Sequence, residues 1–212
     1  MTLAEPSLDD LVSAMVRGDM ETAVKETTRL KREGVTSERI VLEGIEVAMI
    51  KMDTKCTMED FNLLEIMLVG RAAMAVLKEV VPAGNRSMFT KGSVVLATME
   101  GDVHDLGKNI VKMVLTGKGY EVIDCGKDCP VARVTSTVAL KDSGIIGVSG
   151  LITSIVPAVR ALRPSLQMIG ITNVKIIAGG AALHQASAQE LNVDHVANNV
   201  FDGASYMESL RG

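Results

Sequence analysis

From Ser7 to about Val81 apolar residues recur at helical spacing, with no strand-like alternation, and this predicts helices. Ser7 is placed to cap a first helix running through Arg17, and Gly18-Asp19 breaks it. Met20 to about Glu33 forms the second, with Ala23, Thr27 and Leu30 on one face, and Gly34 ends it. Thr36 to about Met52 forms the third, with Ile40, Ile45 and Met49 among its apolar positions, before a polar break at Asp53-Thr54-Lys55. The fourth, Asp60 to Val81, is apolar nearly all round through Leu63, Leu64, Ile66, Met67, Leu68, Val69, Met74, Val76 and Leu77. An outer helix of a small bundle needs only one apolar stripe, so something besides the other three helices should cover this one.

Pro82-Ala83-Gly84-Asn85 interrupts the pattern, and a polar connector runs to Gly92, where the periodicity changes. The boundary is set here, with a helical domain over 1–88 and a second domain over 89–212. Short apolar strands are expected at Val94–Thr98, Glu121–Asp124, Gly144–Val148, Lys175–Ala178 and, more weakly, Asp194–Ala197. Helices follow each in turn, over about Lys108–Lys118, Val131–Asp142, Ser154–Leu166, Ala182–Leu191 and Val200–Leu210. Strict alternation of this kind specifies a parallel sheet wrapped on both faces. The fold class is therefore α/β: an N-terminal four-helix bundle followed by a five-stranded, doubly wound, flavodoxin-like sheet.

Composition narrows the possible chemistry. With 47% hydrophobic and 23% charged residues, the chain of 212 has the make-up of a folded globular protein. Its net charge of -4, without a dense Lys/Arg cluster, argues against nucleic acid or an anionic membrane as partner. The first residues lack an export signal and no stretch reaches membrane-spanning length, which places the protein in the cytoplasm. Cys56, Cys125 and Cys129 form no CxxC pair and read as reduced, buried thiols. Only 2% of residues are aromatic while Met numbers 13, so the core is aliphatic and sulfur-rich.

In open parallel sheets ligands bind beyond the carboxyl ends of the strands, where strand order reverses. In the flavodoxin-type order that point lies between the first and third strands. Two unusual loops fall there: Glu100-Gly101-Asp102-Val103-His104-Asp105-Leu106-Gly107-Lys108 and Ser149-Gly150-Leu151-Ile152-Thr153, with Gly179-Gly180 beside them after the fourth strand. Small residues at these ends leave room for an inserted group. The first loop lacks a phosphate-cradling glycine series and carries carboxylates that would repel phosphate. It suits a metal better: an imidazole can ligate through one nitrogen while a carboxylate holds its other N–H. A single histidine cannot hold a bare ion, so the metal must arrive already chelated by a macrocycle, as in haem or a corrin. Asp105, just before a helix, is open to two readings, N-terminal cap or cofactor contact. His184 and His195 have no companions that suggest metal.

The run Asp102-Val103-His104-Asp105-Leu106-Gly107, then Ser149-Gly150-Leu151, then Gly179-Gly180, resembles the three-part signature of cobalamin-binding domains. With four helices in front, the chain from about Ser7 onward resembles the small corrinoid proteins of methyltransferase systems that demethylate methanol, methylamines or methoxyaromatics, and is similar to the cobalamin module of methionine synthase. The resemblance implies a cobamide, cobalamin or a variant with another lower base, bound base-off with His104 as the cobalt ligand. It implies cofactor binding by Asp102, Val103, His104, Asp105, Gly107, Ser149, Leu151, Thr153, Gly179 and Gly180. Asp102 would accept the second imidazole proton, Ser149 and Leu151 would line the slot for the nucleotide tail, and the helical domain would cap the upper corrin face. In the methionine synthase branch a serine completes a His-Asp-Ser relay; the matching position here is Ile155, next to Ser154. Where many relatives carry a Phe-Leu-Pro-type segment on the capping helix, this chain has Asn62-Leu63-Leu64-Glu65.

The function the resemblance implies is that of a methyl carrier, not catalytic alone, shuttling a methyl group on cobalt between a donor-specific methyltransferase and an acceptor methyltransferase that uses tetrahydrofolate or a thiol. A reductive activator protein is a further expected partner. The alternative is the small cobalamin-binding subunit of an adenosylcobalamin-dependent mutase, in which a preceding helical domain is not expected.

Overall fold

The computed structural model describes residues 6–58, 62–80 and 91–211. The connector after the fourth helix, and with it the boundary set between residues 88 and 89, lies outside them. The chain divides into two compact units, Met1–Lys91 with Met113–Tyr120, and Gly92–Lys112 with Glu121–Gly212.

The first unit is helical. Helix α1 spans Asp9–Val16, and α2, Met20–Arg32, starts where the Asp19 carboxylate accepts the Thr22 N–H at 3.0 Å. Ala23, Thr27 and Leu30 of α2 are buried, as their spacing requires. The next helical run is continuous through α3 (Ser37–Arg39), a π-helical stretch (Ile40–Ile45) and α4 (Glu46–Met58). The expected stop near Met52 does not occur, because Asp53-Thr54-Lys55 contains neither Gly nor Pro, and the Thr54 hydroxyl bonds back to the Ile50 carbonyl at 3.0 Å. Helix α5, Leu63–Val80, buries Ile66, Val69, Ala73, Val76 and Leu77 and leaves Leu64 exposed. Part of the cover its apolar surface calls for comes from a segment far along the chain: Gly70 lies against Met113, just as Gly117 lies against Ile45 and Met49.

In the second unit five parallel strands, β1 (Ser93–Thr98), β2 (Glu121–Asp124), β3 (Ile145–Ser149), β4 (Lys175–Gly179) and β5 (His195–Ala197), run in the order β2-β1-β3-β4-β5. The intervening helices are α6 (Leu106–Gly117), α7 (Val131–Lys141), α8 (Val156–Met168), α9 (Ala188–Leu191) and α10 (Val200–Ser209). One helix was expected over Ala182–Leu191. Instead a 3-10 turn, Leu183–Gln185, is followed by extended Ala186, because Ser187 and Glu190 form a capping box that starts α9 afresh.

The two sheet faces differ. On one, Val95, Ala97, Ile146, Val148, Ile176 and Ala178 share a core with Val134, Val138, Val159, Leu162 and Leu191. On the other, strand register aligns Asp124, Leu96, Gly147, Ile177 and His195 in a row. Lys108 of α6 reaches Asp124 at one end of that row, and Gly203 of α10 lies against Ile177 and Ala197 at the other. Between them Ile145, Gly147 and Ser149 stay half-buried, although β3 is the central strand. A central parallel strand is normally covered on both faces. The outer side of β3 is therefore only partly covered.

Two ionic clusters brace this unit. Asp124 accepts Lys108 Nζ at 2.7 Å, Lys112 Nζ at 3.1 Å and the Gly126 N–H at 2.9 Å, and Lys108 is 2% exposed. Asp194 joins α8 to β4 through Arg163 at 2.6 Å, Lys175 at 3.1 Å and the Ile176 N–H at 2.8 Å. Burial pushes both carboxyls up, but these hydrogen bonds and cations outweigh it and hold both below the ordinary aspartate value. A group whose folded pKa is depressed contributes in full above its unfolded pKa, and the contribution is lost as pH falls through the folded value. Urea midpoints should therefore fall as pH drops below about 4, and less steeply in an Asp124→Asn variant than in the parent.

Candidate functional site

The loop after β1 is held from below by the loop after β2. Met99 and Cys129 form a parallel bridge, the Glu100 N–H donates to the Cys129 carbonyl at 2.9 Å, and the Gly101 N–H donates to Asp128 Oδ1 at 2.8 Å. The Asp128 N–H in turn donates to the Asp102 carbonyl at 2.9 Å. Asp128 adopts a left-handed φ of 49°, a conformation aspartate tolerates better than most residues. The backbone on both sides of Asp102 is thereby fixed.

Asp102 is wholly buried. Its Oδ1 accepts the His104 N–H at 2.8 Å and lies 2.7 Å from His104 Nδ1, while Oδ2 accepts the Leu151 N–H at 2.6 Å. Burial pushes this carboxyl up, but the Leu151 and His104 amides and the imidazole overcome that and keep it below the usual aspartate value. An ionised carboxylate only accepts hydrogen bonds, so Nδ1 is the protonated nitrogen of this pair, and in the neutral imidazole the lone pair sits on Nε2. The His104 side chain is 54% exposed. Val103 and Leu151 beside it are exposed apolar residues, and a Cβ on Gly107 would meet open space. The result is an outward imidazole nitrogen set on an apolar rim.

The loops after β3 and β4 meet backbone to backbone. The Gly150 N–H donates to the Gly179 carbonyl at 3.1 Å, and a Cβ on Gly180, whose φ is 104°, would come within 2.5 Å of the Gly150 oxygen. A Cβ on Gly150 would fall inside the side chain of Ile155, which is fully buried. Gly180 thus allows the two loops to stack, and Gly150 makes room for Ile155. Among the described residues no serine completes the Asp102 hydrogen bonds: Ile155 fills that position, Ser154 is exposed, and the Leu151 amide occupies Oδ2.

Of the residues singled out in the sequence, Asp102, His104 and Leu151 come together in one hydrogen-bonded unit, and Ser149 and Gly179 pair at the carboxyl ends of β3 and β4, with Gly180 next in the chain. Asp105 directly precedes α6, its carbonyl accepting the Asn109 N–H at 2.9 Å. Thr153 is exposed at the start of a 3-10 turn. His184 bonds the Ala197 carbonyl, and His195 stacks on Tyr206 with ring centroids 4.4 Å apart. Asp128 was missed in the sequence; an aspartate in a Gly-Lys-Asp turn after a strand was the available signal.

Among the described residues no cluster of three or more His, Cys, Asp or Glu side chains converges. Burial above all, with the neighbouring Cys125 thiol, pushes Cys129 up to about 11. One imidazole nitrogen, tied from behind, fits a metal that brings its own equatorial ligands.

A five-stranded parallel sheet with this histidine loop and half-open central strand defines a cobalamin-binding domain, and the chain belongs to that family: residues 92–206 match the model of the B12 binding domain. The chain is 30% identical over 210 residues, 97% of its own length and 98% of the relative's, to dimethylamine corrinoid protein 1 of Methanosarcina acetivorans. Among solved structures it resembles the methanol:cobalamin methyltransferase complex of Methanosarcina barkeri, with a TM-score of 0.82 and 24% identity, covering 96% of this chain and 78% of that one. It also resembles a cobalamin-binding protein of Desulfitobacterium hafniense, with a TM-score of 0.74, 23% identity and coverage of 96% and 98%. Among the described residues no helix is long and apolar enough to cross a membrane.

Replacing Asp102 by Asn sets an amide NH₂ against donors on one side or the other. The variant should lose about 1–3 kcal/mol of stability, measured by urea unfolding, and the backbone amides of His104 and Leu151 should exchange faster with deuterium. Unchanged exchange at both would show that the carboxylate does not organise the loop.

Proposed function

We propose that this chain is a methyl carrier that binds a cobamide base-off, with His104 Nε2 as the lower axial ligand to cobalt. The observation that carries this reading is the Asp102–His104 pair, with Nδ1 held at 2.7 Å by a buried carboxylate and Nε2 left to ligate. When bound, the cofactor supplies a cobalt centre able to accept and release a methyl group. The protein supplies everything around it. Val103, Leu151 and Gly107 offer an apolar, uncluttered surface under the macrocycle, Asp105 lies at its edge, and Ser149, Thr153, Gly179 and Gly180 border the entrance for the nucleotide tail. Asp102 raises the basicity of His104 and fixes its ring, which sets the strength of axial ligation.

The partners in this reading are a donor-specific methyltransferase and an acceptor methyltransferase using tetrahydrofolate or a thiol, with a reductive activator restoring the low-valent metal. The names of the relatives support it, since they are a dimethylamine corrinoid protein and a methanol:cobalamin methyltransferase complex. The protein would work in the cytoplasm and not turn over alone. Its similarity to a corrinoid protein runs through the N-terminal helices as well as the sheet, which weighs against a mutase subunit.

The test is His104→Gly, reconstituted with cobalamin. The absorbance spectrum should change to that of a base-off form without imidazole, and retention of the cofactor should weaken at least about tenfold. A spectrum identical to that of the parent, across pH, would exclude His104 as the ligand.

A further inference from the structure

We infer that Asp128 sets how firmly His104 can hold a metal, by fixing one peptide of the turn that delivers Asp102. This rests on the base-off reading above and adds to it a positioning residue in the loop after β2.

Met99, Glu100, Gly101 and Asp102 form a tight turn, closed where the Asp102 N–H donates to the Met99 carbonyl at 3.0 Å. Gly101, third in the turn, has a φ of 93°, and Glu100 before it is not left-handed, which is the pattern of a type II turn. A type I turn has the same closing bond but a negative φ at the third position. The two differ by a flip of the central peptide, which carries the Glu100 carbonyl and the Gly101 N–H. Glycine is free to adopt either form. A Cβ on Gly101 would meet only the tip of Ile155 at 4.0 Å, so packing does not choose between them. Asp128 does: its Oδ1 accepts the Gly101 N–H at 2.8 Å, and a flip would swing that N–H away. The Asp128 N–H also donates to the Asp102 carbonyl at 2.9 Å, so one residue grips the backbone before and after Asp102.

Asp102 passes this constraint to the ring. Its Oδ2 is pinned by the Leu151 N–H at 2.6 Å, so a shift of its backbone is taken up at Oδ1, where the His104 N–H and Nδ1 are held at 2.8 and 2.7 Å. A looser Nδ1 contact lowers the basicity of the imidazole and frees its orientation. Asp128 is exposed and its φ is 49°, which glycine adopts without strain and asparagine tolerates. Asp128→Gly therefore keeps the loop and its N–H and removes only the acceptor. Asp128→Asn keeps an acceptor oxygen and removes the charge.

The experiment reconstitutes the full-length parent and both variants with cobalamin and records the spin resonance spectrum of the Co(II) form, the Co(II)/Co(I) midpoint potential and the urea midpoint. The parent and Asp128→Asn should share one axial nitrogen coupling and one potential. Asp128→Gly should hold Co(II) through the imidazole about threefold more weakly. At about 59 mV per tenfold, that raises the potential by ~28 mV, because the oxidised form loses part of its ligand stabilisation. A glycine variant with a lower urea midpoint but the parental potential would leave Asp128 a merely structural role and overturn the inference. So would an asparagine variant shifted as far as the glycine one, since charge and not the hydrogen bond would then be acting. Either result leaves the proposed function standing if the parent shows the imidazole nitrogen on cobalt, whereas a parent without it would remove both.

Discussion

One buried carboxylate sets the geometry of the site. Asp102 takes its hydrogen bonds from the His104 amide, the His104 ring and the Leu151 amide, so it locks the β1 loop into a tight turn and ties it to the β3 loop across the strand-order switch. The arrangement is stable because three donors converge on a group that would otherwise be expensive to bury. The proposed function rests on which nitrogen of His104 it leaves free. The loop after β2 underlies this unit, with Asp128 and Cys129 fixing Glu100, Gly101 and Asp102 from beneath.

The Asp102 shell is closed by the chain itself. Where a hydroxyl could extend a relay, this protein has the methyls of Ile155 packed under Gly150, and a main-chain amide completes the carboxylate. Main-chain donors cannot be altered by side-chain substitution, so the orientation of the imidazole is anchored in the loop fold. The glycines of the β3 and β4 loops have a related cause: a side chain on Gly180 would collide with the Gly150 backbone and separate the two loops, and one on Gly150 would collide with Ile155. The outer side of β3, by contrast, is only partly covered.

Much of this was legible in the sequence because the relevant signals are local. Alternation of short apolar runs with amphipathic stretches indicated five parallel strands, and an imidazole two residues beyond an aspartate at a strand end indicated a ring held by a carboxylate, the contact seen at 2.7 Å. Non-local contacts were not legible. The grip of Asp128 on Gly101 spans 27 positions, and that of Leu151 on Asp102 spans 49. Nothing in the neighbourhood of Met113 indicates that it packs on Gly70. Boundaries failed where polar residues were read as breaks: Asp53-Thr54-Lys55 continues a helix because none of the three prevents it. The single helix expected over Ala182–Leu191 failed the other way, since the capping box of Ser187 and Glu190 is a start signal inside an apparently continuous pattern.

The most direct measurement is the electron spin resonance spectrum of the Co(II) cobamide bound to protein made with isotopically labelled histidine. Coupling from a single nitrogen nucleus that changes with the label is the expected result, and it places the His104 ring beneath the metal. Coupling indifferent to the label, or absent, would mean that the cofactor's own base or water holds that position, and the central claim would fail.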